Sequence, residues 1–134
     1  MNYSVAVHKS QGSCYGITVP DIAGCFSAGD TLEEALHNAQ NAISTHLEYL
    51  AEEGVLPPVA KALDDYLIHD DFKGVIWGYV DVDFSEILGE TKKATVTLPT
   101  LLIHKIDNLV RCGAIKSRSA FLVESATKNL AGRP

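Results

Sequence analysis

The segment Lys92-Lys-Ala-Thr-Val-Thr-Leu-Pro99 limits what this chain can fold into more than any other. It alternates as a strand does. Ala94, Val96 and Leu98 point one way, and Lys93, Thr95 and Thr97 point the other. Pro99 ends the strand and suits the first turn of a following helix. A lone strand of about six residues is not stable in water. The simplest partner is the same strand from a second chain, paired antiparallel across a two-fold axis. The segment therefore predicts a homodimer. Contacts between N-terminal domains can raise that dimer to a tetramer.

The residues after it predict two helices. The first carries Leu102, Ile106, Leu109 and Val110 on one face and stops at Gly113. The second is capped by Ser117, runs from Arg118 to about Leu130, and offers Phe121, Leu122 and Ala126 for packing. One face of the ribbon covers these helices. The other presents Lys93, Thr95 and Thr97, and a two-stranded ribbon of that kind fits the DNA major groove. Ser117, Arg118 and Ser119, with the free amides of the second helix, are the expected phosphate contacts.

Charge divides the chain at the same place. Residues 1–90 hold three basic and 15 acidic residues, a net −12. Residues 91–134 hold eight basic and two acidic residues, a net +6. The basic end can meet phosphate, and the acidic body repels it. Attraction between the two halves within one chain is the plainer reading of the same numbers.

The acidic part reads as strands, a long helix and another strand. Tyr3–His8 and Cys14–Val19 form a hairpin around a polar turn at 9–13, and Gly24–Ala28 extends the meander. Thr31-Leu-Glu-Glu34 is a capping box. The stripe Leu32, Ala35, Leu36, Ala39, Ala42, Ile43, Leu47 and Leu50 then predicts five to six helical turns, ended by Gly54 and Pro57-Pro58. Residues 59–66 read as a short helix. Residues 74–83 read as a strand whose densely apolar start predicts a buried, central place in the sheet. Residues 86–91 read as a linker. The fold class is α+β, with the long helix on one sheet face.

These residues carry a resemblance. The K-A-T-V-T-L-P strand, the G-x-x-K-S-R-S turn and the A-F-L-V-E-S-A helix resemble the ribbon-helix-helix repressors. The run from Val19 to Leu36, with the Tyr3 strand, the Tyr15-Gly16 hairpin and Val80-Asp-Val-Asp83, resembles the HicB antitoxin family. The resemblance covers nearly the whole chain. It implies a partial ribonuclease H-like domain at 1–88, an antiparallel sheet plus a long helix, that binds and inhibits a small HicA-type ribonuclease toxin. It also implies a ribbon-helix-helix domain at 92–134 that represses the protein's own operon by binding operator DNA. A net −12 suits a basic partner, and a toxin that holds RNA should be basic.

Other functions find less support. Metal-dependent hydrolysis needs clustered carboxylates. Asp81 and Asp83 share a strand face, with Asp21 and Glu48 as further candidates, but strand-end carboxylates are commonly solvated, so no catalytic residue is assigned. Asp21 is expected to organise the turn after Pro20. His8, His37, His46, His69 and His104 show no metal-ligand spacing, and Cys14, Cys25 and Cys112 read as buried small apolar groups in a reducing compartment. No metal or cofactor is expected. Trp77 reads as core rather than as a stacking platform. No apolar stretch is long enough to span a membrane, and residues 1–8 lack the pattern of a signal peptide. The default expectation is a cytoplasmic protein. The competing reading is a DNA-binding regulator whose N-terminal domain senses a small molecule.

Overall fold

The computed structural model describes every residue except 10, 11, 132 and 134, and at residue 70 the backbone alone. The middle of the expected 9–13 turn thus lies outside the described residues. Four strands form one antiparallel sheet: β1 (Asn2–Lys9), β2 (Tyr15–Thr18), β3 (Phe26–Gly29) and β4 (Ile76–Asp81). Their order is β3-β2-β1-β4. The α+β class holds, with a mixed architecture of antiparallel sheet and helices.

β1 is the central strand. Tyr3, Val5 and Val7 face the long helix, and the register sets them beside Ile17 of β2 and Val80 of β4. Ser4 and Ala6 on the opposite side are also buried. The expectation that the strand at 74–83 is central is wrong: β4 pairs with β1 and forms a sheet edge. Its apolar composition has another cause. Trp77, opposite Ala6, lies on the outer face and stacks with Tyr66 at 5.9 Å between ring centroids. Phe72 meets both rings, at 5.2 and 5.8 Å. The segment between the long helix and β4 therefore covers one end of that strand.

The long helix α1 (Leu32–Glu52) starts where the capping box predicts. Thr31 Oγ1 accepts from the Glu34 amide at 3.1 Å, and Thr31 has the extended backbone of an N-cap. Ala35, Ala39, Ile43 and Leu47, spaced at helical intervals, are fully buried on the sheet. Small residues at 35 and 39 let the helix approach closely. Gly29 completes that approach, since a Cβ there would lie 2.5 Å from the Ala35 amide nitrogen.

Of the expected short helix at 59–66 only the last three residues are helical, in α2 (Asp64–Leu67). Asp21 anchors this region. Its Oδ1 accepts from the Lys61 amide at 3.1 Å and from the Tyr66 hydroxyl, 45 positions away. Asp21 thus holds a distant segment to the sheet rather than only its own turn. Burial, with the bond to Asp21, pushes the Tyr66 phenol well above its ordinary range.

The chain ends in α3 (Thr100–Arg111) and α4 (Arg118–Leu130). Gly113, at φ +80°, ends α3 in the left-handed region that glycine favours. α4 packs against α3 and against a 3-10 turn at Phe84–Glu86, and Val123 touches the core of the body.

Candidate nucleic-acid interface

Residues 91–99 form neither strand nor helix within the single chain. Lys93, Thr95 and Thr97 are all exposed on this segment. The opposite row is uncovered too. Ala94 is exposed, Val96 is 60% exposed and only Leu98 is half-buried. α3 continues the pattern. Ile106 is its buried residue, while Leu101, Leu102 and Leu109 are 69%, 50% and 38% exposed. In α4, Phe121 and Leu122 are half-buried and Ala126 is exposed, so Ala126 does not pack as expected. One chain leaves this apolar surface in water, at roughly 25 cal/mol for each Å² it could bury.

The head of α4 is built as a cap. Ser117 Oγ accepts from the Ala120 amide at 3.0 Å, and the Ser117 carbonyl takes the Phe121 amide. The Arg118 and Ser119 amides stand in the first turn, where the helix dipole favours an anion. Ser119 is exposed. Arg118 is differently engaged. Its Nε and Nη2 donate to the two Asp107 oxygens at 2.7 and 2.8 Å, a bidentate pair that ties α4 to α3. Hydrogen bonding from Arg118 holds the Asp107 carboxyl below its ordinary range. Sequence reasoning missed this pair, although Asp107 is one of only two acids in the basic end.

The halves of opposite charge also touch. Lys116, just before the α4 cap, places Nζ 3.4 Å from Asp83 Oδ2. Asp83 itself caps the Phe84–Glu86 turn, accepting from the Ser85 amide at 3.0 Å and its hydroxyl at 2.6 Å. The Ser85 bonds, and Lys116 behind them, hold the Asp83 carboxyl below the usual carboxylate range. Asp83 is thus committed to structure, whereas the Asp81 side chain is 77% exposed.

The expected linker at 86–91 is not loose at its start, since Ile87 is buried in the core and Leu88 packs against it. The pattern of sheet, long helix and two packed C-terminal helices has known counterparts. A family model for the HicB-like antitoxin of bacterial toxin-antitoxin systems matches residues 3–126. The chain belongs to this family. HicB-like proteins are antitoxins rather than enzymes. The crystal structure of the Burkholderia pseudomallei antitoxin HicB is similar at 35% identity and a TM-score of 0.80, over 97% of this chain and 98% of that one. A HicA3 and HicB3 toxin-antitoxin complex contains a chain that is 34% identical, with a TM-score of 0.54, over 62% of this chain and 99% of that one. Among sequences, a 14.9 kDa protein of the rep-hol intergenic region of Haemophilus phage HP1 (strain HP1c1) is 39% identical over 131 residues, 97% of this chain and 98% of that protein. No helix among the described residues of this HicB-like chain is long and apolar enough to cross a membrane.

Proposed function

We propose that this antitoxin neutralises a small, basic HicA-type ribonuclease through residues 1–88 and represses its own operon through residues 92–134. The observation that carries the second half is the segment at 92–98. It alternates, all of it but half-buried Leu98 is exposed, and it has no partner strand among the described residues. Paired with its copy in a dimer, it buries Ala94, Val96 and Leu98 on the helices and turns Lys93, Thr95 and Thr97 to the bases of operator DNA. Ser117, Ser119 and the first amides of α4 hold a phosphate and fix the register. Arg118 joins them by giving up Asp107, an exchange that costs little because both groups stay in contact with water.

The toxin half is supported by the family and by charge. A body of net −12 attracts a basic ribonuclease and repels nucleic acid. The complex of HicA3 with HicB3 is a precedent in a similar protein.

The test is a double substitution, Lys93→Ala with Thr95→Ala, read by operator gel shift and by toxin co-purification. Operator affinity should fall by about tenfold or more, and the toxin should still co-purify. Affinity of the unaltered protein should also fall steeply with added salt. Unchanged gel-shift affinity in the variant would refute the assignment of the strand.

A further inference from the structure

We propose that the outer edge of β4, from Trp77 to Asp81, is where the toxin docks, adding an extended basic segment as a fifth strand. This rests on the antitoxin reading above and assigns a surface to it.

The edge can be read from its hydrogen bonds. Met1 and Val82 exchange both of theirs, with the Val82 amide donating to the Met1 carbonyl at 2.9 Å and the Met1 nitrogen to the Val82 carbonyl at 2.9 Å. Bonded and non-bonded pairs alternate along an antiparallel ladder. The register then makes Tyr3–Val80, Val5–Gly78 and Val7–Ile76 the bonded pairs. The amides and carbonyls of Trp77, Tyr79 and Asp81 therefore point away from β1. One of these groups already has an outside partner, since Gln40 Nε2 of α1 reaches the Asp81 carbonyl at 3.4 Å.

The two edges of the sheet are not alike. β3 is four residues long and α1 covers it, with Asn38 Nδ2 donating to the Ala28 carbonyl at 2.9 Å. β4 is longer, and two large apolar side chains on it are open, Ile76 at 64% and Tyr79 at 60%. Proteins usually blunt such an edge with charge, proline or a bulge, because it invites another strand. Along most of its length β4 has none of these. Strand addition uses this kind of edge, with main-chain bonds supplying affinity and flanking side chains supplying choice.

Charge selects the occupant. Glu33, His37 and Gln40 of α1 line the shallow groove beside Tyr79 and Asp81, and Glu48 and Glu86 stand past the end of the strand, where Lys116 is paired with Asp83. A second copy of this body would bring −12 against −12. A lysine- or arginine-bearing segment of the toxin meets complementary carboxylates instead.

The experiment compares the full-length protein with two variants, using a catalytically inactive HicA-type toxin from its own operon as the probe. Tyr79→Pro removes an outward amide, which proline tolerates on an edge strand. Glu33→Lys with Glu48→Lys reverses the charge on two exposed positions of α1 and leaves the ladder intact. Calorimetry should show Tyr79→Pro binding about tenfold or more weakly. The charge-reversed protein should associate more slowly, with its salt dependence reduced. Circular dichroism and operator binding report folding, and if Tyr79→Pro does not fold, the charge-reversed protein decides. Folded variants that bind within about twofold of the original would overturn the edge assignment alone. An unaltered protein that does not bind the toxin would overturn the antitoxin reading itself. Loss of self-association in light scattering, with toxin binding intact, would assign the edge to a second copy and overturn the proposal.

Discussion

In the acidic body, α1 lays Ala35, Ala39, Ile43 and Leu47 on the sheet and buries all four. In the basic end, α3 buries Ile106 and leaves Leu101, Leu102 and Leu109 open, beside an unpaired segment with Val96 exposed. Both regions have apolar residues at helical spacing, but only the body has enough neighbouring structure to cover them. The body is closed within one chain, whereas the basic end leaves apolar residues open that a second chain is proposed to cover. DNA binding and dimerisation are therefore one event in this account, while the stability of the body belongs to the monomer.

The largest effect should come from Val96→Lys, which places a charge on the covered face of the ribbon. The dimer should weaken by at least about a hundredfold in sedimentation, and operator binding should fall with it. A dimer that survives would break the comparison. The next largest is Ile43→Ala in the body. It should cost about 2–5 kcal/mol in urea unfolding, because α1 and β1 enclose the site and cannot collapse into the gap. A loss below about 1 kcal/mol would mean that the body is packed as loosely as the basic end.

The smallest effect concerns the junction. The Asp83 carboxyl is held low by Ser85 and Lys116, so its ionised form favours the folded state. That stability is fully present above the ordinary carboxylate pKa of about 4 and is lost as pH falls through the lowered value. The melting temperature should drop more steeply in acid for the unaltered protein than for Asp83→Asn. Parallel acid limbs would remove the junction from the account.

The elements that local chemistry specifies were legible in the sequence. The box at Thr31 and the stripe through Leu47 predicted α1, and Pro99, Gly113 and Ser117 marked the ends of the C-terminal helices. The alternation at 92–98 reads as a strand, yet within one chain no strand forms there and Ala94 and Val96 are as open as Lys93, Thr95 and Thr97. What escaped depends on contacts between distant residues. β4 reads as a central strand because Trp77 is apolar, yet its cover comes from Tyr66 and Phe72 rather than from a further strand. Asp21 reads as a turn residue, but its partners lie 40 and 45 positions away. Arg118 reads as a phosphate contact, and only the packing of α4 on α3 brings Asp107 to it.

On this reading the segment at 92–98 binds DNA only as a pair. Native mass spectrometry of the full-length protein on its operator tests it most directly, because it counts the chains in the complex. An even number of chains, two or four, is expected at every protein concentration at which a complex forms. A stable complex of one chain with operator DNA would contradict it.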